Sequence, residues 1–527
     1  MNIALSLFSL RSDDELRQVL ETPITEYLLE SASIGDGHLT EAVRVSRVIE
    51  ESGVQLPAVS SMASVGGADL NNVSRDMHNK FKPLYPLKTQ TLWLKLKSWE
   101  NGRVEDQAIS CLAPYEVFAA LFRYRAQFDK TVLGHRGPTA CEDYWGELLQ
   151  SDYGKTHPVS TEADLNACKH RLVPWVWHSD GSRVFATTEY KVFSWSSQLS
   201  TFIENILDQK IYILMVPEEC LTSETLPEIM RWLKWNEEIL KSRTHPELDF
   251  YLQEWEDPYR AALAGKPLAS DTGFIDDSFG ACFVSIMADL KEKLKIHKFP
   301  WNFHAHLLCE WCNAHTKSEI LNPFDFRDEA GWLKSLVSHQ EYLATVPAHR
   351  TSPLVDLPGW TIDRNVLDSL HAWWMGFAKD IAGTLMQDLS LFYCGDIDNG
   401  LQYLWWRYKA WCKQHKRRTC LKCFRPGVIC YAPEDYPLLQ DYVKAAHTRQ
   451  LCQFLAAECI RVVEDGLDTS EYARMRASMM WHYQQHWRIL HDSDLFMTAS
   501  AAASAQHHGF CVLKYYQELA YWSYCEG

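Results

Sequence analysis

The sequence has little that would tie it to a membrane. Its longest aliphatic run, Ile211 to Val216 with Tyr212 inside it, falls far short of the ~18 residues a spanning helix needs. No Gly-rich phosphate loop or nucleophile elbow is present, which removes the usual sequence support for a nucleotide-dependent oxidoreductase or an α/β hydrolase. Nor is there a repeat with a period of roughly 20–50 residues, so a solenoid or propeller is not indicated. Cysteine is sparse, 16 in 527 residues. Most cysteines sit singly in apolar stretches, as Cys111, Cys282, Cys452 and Cys459 do, and read as small core residues in a reducing compartment. Basic charge is outweighed, with 52 Lys+Arg against 68 Asp+Glu and a net charge of -16. A uniformly acidic surface repels phosphate, so any contact with DNA requires a local basic patch. The amino terminus, MNIALSLFSLRSDDELRQ, lacks a basic residue ahead of its short apolar run and is not read as a signal peptide. A soluble intracellular protein, without a membrane partner, is the expectation.

What the chain does have is apolar and aromatic mass, 46% and 13% of residues, enough for roughly three structural units at ~150 residues each. Residues 1–66 carry helical periodicity and close in a small-residue linker, VSSMASVGGADLN. Residues 67–170 read as a small mixed module, with a strand in TLWLKLKSW and helices in PYEVFAALFRYRAQF and EDYWGELLQ. From 171, the runs RLVPWVWHSDG, RVFATTEY, YKVFSWSSQL and KIYILMVPEE predict a sheet with short antiparallel connections. Helical periodicity follows in ETLPEIMRWLKWNEEILKS and SFGACFVSIMADLKEKLKIHKF, and from Asp363 almost everything is predicted helical. The fold class is α/β, with a core over 171–400, a Cys-containing insertion at about 300–360, and a large helical region over 401–527.

Several constellations could carry chemistry. Asp180 lies in His178-Ser179-Asp180-Gly181, where a strand end would hold a metal-binding or general-base carboxylate; the same Asp-Gly also suits a plain hairpin turn. Asp289, inside a helix-like stretch, has no spacing that singles it out. His304, His306, Cys309, Cys312 and His315 are metal-competent and closely spaced. Cys309 and Cys312 could share a zinc ion with Cys420 and Cys423, or each pair could be unrelated reduced thiols. Asp363 is an N-cap candidate, and Asp368 and His371, three residues apart, share a helix face. Asp380 lies twelve residues beyond Asp368, about 18 Å along a helix, so only one of them can join a compact site. Between Asn399 and Pro433 there are eight Lys and Arg and no acid. Lys409, Lys413, Lys416, Arg417, Arg418, Lys422 and Arg425, interleaved with aromatics, form either a DNA-binding strip or a solvated helix face and loop. KQHKRR within it also resembles a nuclear-import sequence.

Taken in order, LAPYEVFAAL, EDYWGELLQ, LVPWVWHSDG, FSWSS, IMADLKEKLKIHKF, HLLCEWCNAH, SPLVDLPGWTIDRNVLDSLHAWWMGFAKDIAGTLM and LKYYQELAYWS resemble a family of transposase-like proteins abundant in dinoflagellate genomes. That family is distantly similar to the CACTA (En/Spm-type) DDE transposases, and the resemblance spans roughly residues 70 to 525. It implies a ribonuclease-H-like mixed-sheet core whose acids hold Mg²⁺ or Mn²⁺ for DNA cleavage and strand transfer at transposon ends, in the nucleus. Asp180 matches the first acidic position and Asp289 the second, with Ala288 in place of the usual Gly. The position of the third acid, a Glu two residues after the motif histidine His371, is Trp373 here; Asp368 and Asp380 are the substitutes, and His371 is a further metal-ligand candidate. The resemblance also implies a structural Zn²⁺ at the Cys309–Cys312 insertion. Relatives continue past the point where this chain stops at YWSYCEG. With the missing Glu and the altered Gly-Asp, this implies an element remnant with weakened or absent strand transfer. A homo-oligomer is a further expectation. The alternative is a non-enzymatic, zinc-stabilised nucleic-acid- or protein-binding protein.

Overall fold

The computed structural model describes residues 88–183, 188–201, 209–295, 305–345, 352–368, 370–429, 437–440 and 443–526, with a few positions between 43 and 50. The helical module expected over 1–66 therefore lies almost wholly outside the described residues, as does His304. The chain divides into two compact units, one of residues 1–175, 194–216 and 231–282, the other of 176–193, 217–230 and 283–527.

In the first unit, strands β1 (Gln90–Lys97) and β2 (Val104–Cys111) form an antiparallel hairpin with Gln90 opposite Cys111. The alternation predicted from TLWLKLK is present: Leu92, Leu94 and Leu96 are buried, whereas Trp93 faces solvent. Helix α1 (Pro114–Arg123) begins at its proline, where no backbone N–H is required; it breaks only at Tyr124, and a second helix, Arg125–Thr131, completes the helical stretch predicted. Helix α2 (Ala140–Leu148) buries Trp145, whose indole N–H donates to the Leu172 carbonyl at 2.7 Å. Trp175, Trp195 and Trp232 are buried in the same unit, and Trp175 donates to Glu237 at 2.6 Å, which satisfies a polar handle that burial would otherwise penalise.

The main sheet is built from β3 (Leu172–Arg183), β4 (Glu189–Ser197), β5 (Ile211–Pro217), β6 (Gly280–Ala288) and β7 (Asn365–Leu367). Its order is β5-β4-β3-β6-β7. Residues 184–188, which link the neighbours β3 and β4, are too few for the crossover a parallel pair needs. β6 and β7 are parallel, with Ala288 opposite Leu367. Helix α3 (Thr225–Ser242) follows β5 as predicted.

Two local expectations are corrected. GACFVSIMA is a strand and not part of a helix, because it is an unbroken apolar run buried on both faces, for which periodicity cannot separate strand from helix. Only Leu290–Lys295, helix α4, is helical there. Likewise Asp363 caps no long helix: it lies in the one-turn 3₁₀ segment Ile362–Arg364, paired with Arg364 and Thr361, and β7 follows directly. After β7 the chain enters a π-helix, Leu370–Phe377, kinked at Gly376.

Beyond Ala378 the second unit is largely helical, as predicted, in α5 (Ala378–Cys394), α6 (Ile397–Gln414), α7 (Ala445–Glu464), α8 (Glu471–Asp492) and α9 (Ala499–Glu526), but residues 415–429 are not α-helical. Gly395 ends α5 in the left-handed conformation, its N–H bonding to the Leu391 carbonyl. The helices share a core of Ile381, Leu385, Leu404, Tyr408, Leu455, Met480 and Tyr483, among others. Gly400 lets α5 and α6 touch, since a Cβ there would come within 2.4 Å of Ser390.

Candidate active site

The second unit brings Asp180, Asp289 and His371 together, each offering a ligand atom within 4.8 Å of the others. Three different elements deliver them. Asp180 lies inside β3, and the chain does not turn at Asp180-Gly181. The glycine serves another purpose: a Cβ at Gly181 would approach Glu189 Oε1 to 2.6 Å and Lys191 Nζ to 3.3 Å. Asp289 follows the last residue of β6 and caps α4, its Oδ1 accepting the Glu292 N–H at 2.6 Å. Asp368 follows the last residue of β7, one step beyond the Ala288–Leu367 pairing. The parallel register thus sets Asp289 and Asp368 at the same end of neighbouring strands.

Asp368 does not belong to the three-ligand cluster. Its Oδ2 lies 2.7 Å from His371 Nδ1, and it therefore orients the imidazole. That hydrogen bond raises the His371 pKa above the ordinary value; burial opposes it, and the charges of Asp368, Asp180 and Asp289 add to it. A carboxylate hydrogen-bonded to one ring nitrogen is the usual partner of a metal-ligating histidine, fixing the ring and making the other nitrogen more basic. A divalent cation placed there would compete with a proton for the ring. Replacing Asp368 by Ala is expected to weaken Mn²⁺ binding about 10–100-fold, measured by paramagnetic titration; unchanged affinity would remove Asp368 from this role.

Asp380 lies apart from this cluster. It is on α5, where burial raises its pKa and its carbonyl accepts the Thr384 hydroxyl. Trp373, at the position where the resemblance calls for Glu, is packed among Tyr483, His486 and Trp487. The side chain that completes the acidic pair is His371, two residues earlier.

Behind the ligands is a buried polar layer that sequence reasoning missed. Lys191 and Glu292 are each 1% exposed and meet at 2.6 Å. Ser179, beside Asp180, donates to the other Glu292 oxygen, and Lys191 also reaches Glu218 at 3.2 Å. Burial alone would lower the Lys191 pKa; Glu292 and Glu218 outweigh it, and the ammonium is held charged. Glu292 thus links α4, which Asp289 caps, to the strand that carries Asp180. One signal was available: Asp289-x-x-Glu292 has the spacing of a capping box.

Cys309 and Cys312 are neighbours, and the Cys309 thiol donates to Cys312, whose pKa falls to about 6. The adjacent Glu310 is tied to Lys293 of α4. The four-thiol zinc site is not formed, because Cys420 and Cys423 are exposed and, among the described residues, these cysteines do not gather with Cys309 and Cys312. The His306 and His315 rings lie 5.7 Å apart, tilted to one another, but among the described residues they do not join the Cys pair in a three-ligand cluster.

Along the basic segment, Lys409, Lys413, Lys416, Arg417, Arg418, Lys422 and Arg425 are all exposed. Arg407 is not available to a ligand, being bound to Glu458 at 2.9 Å. The interleaved aromatics mostly face inward: Tyr408 and Phe424 are buried and Trp405 and Trp411 pack on the helical core, leaving Tyr403 and Trp406 exposed, the latter beside Lys409. Residues 401, 404, 408 and 412 form the buried face of α6, so helical spacing and not stacking explains most of these rings.

No family model, curated protein or solved structure matches the chain. No helix among the described residues is long and apolar enough to cross a membrane.

Proposed function

We propose that this chain is a transposon-derived, DDE-type transposase-like protein that cleaves DNA phosphodiesters, and transfers strands weakly if at all, at a metal site formed by Asp180, Asp289 and His371. The observation that carries the reading is the meeting of Asp180 and Asp289, the two acids assigned by the resemblance from separate parts of the sequence, with His371 between them and Asp368. The sheet order β5-β4-β3-β6-β7, with Asp180 within the central strand β3 and Asp289 just past the end of the adjacent β6, agrees with a ribonuclease-H-like core.

The donor set fits a divalent cation. Two carboxylates suit Mg²⁺ or Mn²⁺, and an imidazole in place of a third carboxylate tilts the choice from Mg²⁺ toward Mn²⁺. Bound there, such ions supply activation of water or a 3′-hydroxyl and stabilise the leaving oxygen in displacement at phosphorus. Asp180 and Asp289 would hold the cation, His371 would complete the set, and Asp368 would fix the ring. Mn²⁺-dependent nicking of supercoiled DNA by the wild type beside Asp180→Asn is the direct test, and equal activity in both would exclude the assignment.

Substrate DNA would lie on Lys409, Lys413, Lys416, Arg417, Arg418, Lys422 and Arg425, whose exposure suits backbone contacts without sequence preference. Replacing Lys416, Arg417 and Arg418 by Ala is expected to weaken DNA binding uniformly across sequences. The slope of log K against log salt should flatten by about 2–3. Anisotropy titrations at several salt concentrations measure this, and an unchanged slope would place DNA elsewhere. The close Cys309–Cys312 thiols favour a second reading, a zinc-stabilised binding protein in which the acids have no catalytic task. Loss of nicking in Asp180→Asn with DNA binding retained separates the two.

A further inference from the structure

The last two helices carry a second cluster that neither the motif order nor the proposed cleavage site uses. His482 of α8 meets His507 and Cys511 of α9, with one ligand atom from each within 4.8 Å of the others. His507 and Cys511 are four residues apart on one helix face, and the thiol sulfur lies 3.6 Å from His507 Nε2. His508 stands beside them, its Nδ1 2.8 Å from His482 Nδ1. Two ring nitrogens at that distance share one proton, so at least one of the rings is neutral, as a ligand must be.

From this geometry we infer that the α8–α9 hairpin binds one Zn²⁺ ion through His482, His507 and Cys511. Two imidazoles and a thiolate are borderline-soft donors, suited to zinc and unsuited to the magnesium or manganese expected at the acidic site. Three protein ligands leave a fourth position to water, and His507 is exposed, so that position is open to solvent. Ligands drawn from facing helices are how bundles build metal sites. Binding replaces the Cys511 proton with the metal and joins α8 to α9 along the length of chain between them. His508 is a positioning residue: its hydrogen bond to Nδ1 of His482 leaves Nε2 of that ring for the ion, which parallels the Asp368–His371 pair.

The test uses the full chain, stripped with a chelator and titrated with Co²⁺ as a coloured substitute for zinc. One equivalent should produce a thiolate-to-cobalt charge-transfer band that Zn²⁺ bleaches. Cys511→Ser should abolish that band. The Cys309→Ser/Cys312→Ser double variant and Asp180→Asn should retain it, which assigns the sulfur to α9 and separates this ion from the acidic site. His507→Asn alters an exposed side chain, so its fold is not at risk; it should lose zinc-dependent thermal stabilisation with the apo melting temperature unchanged. His508→Ala should keep the band and weaken Zn²⁺ binding about 10–100-fold. A wild-type protein without the band, or a band that survives Cys511→Ser, would overturn the assignment.

Discussion

Asp180→Asn is expected to lower Mn²⁺-dependent nicking by about 1,000-fold or more, because a ligated cation contributes several kcal/mol to the displacement and each ~1.4 kcal/mol is tenfold in rate. The amide keeps the shape of the side chain and removes only its charge. Asp180 sits inside a strand beside Ser179, which is bonded to the buried Glu292, so the fold should be retained, as circular dichroism would confirm. Asp289→Asn should cause a loss of the same order, and the double variant little more than either, since residues acting as one unit are not additive. Mn²⁺ should support the wild-type reaction better than Mg²⁺ does. A clear Mg²⁺ preference would indicate that His371 is not a ligand, and full activity in both Asn variants would remove the cleavage site altogether.

The second large effect is on stability. Lys191→Met leaves Glu292, 1% exposed, without its cation, and breaking a buried pair in this way costs about 3–5 kcal/mol. The urea midpoint should fall accordingly. Lys191→Met combined with Glu292→Leu should recover much of that loss, because the isolated buried charge is gone and apolar groups take its place. The rest of the loss would come from Ser179 and Glu218, which also bond to the pair. If the double variant is no more stable than the single one, the stranded Glu292 charge is not what destabilises Lys191→Met. Metal binding provides a separate readout: the double variant loses the link between α4 and the strand of Asp180, so its Mn²⁺ affinity should drop even where stability returns.

Much of the fold was legible where a pattern is local. The period-two alternation of TLWLKLK and the proline at the head of α1 gave elements that the structure contains. The helical character of the chain beyond Ala378 also followed from periodicity. Failures came where context decides. GACFVSIMA is apolar throughout, and only its place in the middle of a sheet makes it a strand. That misreading hid Asp289 at a strand end, where its position carries meaning, and left the resemblance as the sole reason to select it. Asp180 was noticed for a dipeptide that turned out not to form a turn. His371 could not be placed from its neighbours, because its approach to Asp180 depends on β6 and β7 pairing across a long stretch of chain. The same holds for His482, whose partners lie on the next helix. Aromatics after Tyr403 suggested stacking surfaces, yet the 3.6-residue period turns most of them into the core.

β7 contains three residues, Asn365 to Leu367, and its register with β6 is what sets Asp368, and through it His371, beside Asp289. Three residues of ladder hold few hydrogen bonds, and the π-helix that follows is kinked at Gly376. Short edge segments of this kind open at a lower free energy than the body of a domain. The proposed metal site would therefore be a conditional structure: Asp180 and Asp289 are placed by the long strands β3 and β6, whereas His371 depends on one short strand. A cation held by all three would favour the closed edge, so under the proposed function loading the site and completing the sheet would be linked thermodynamically.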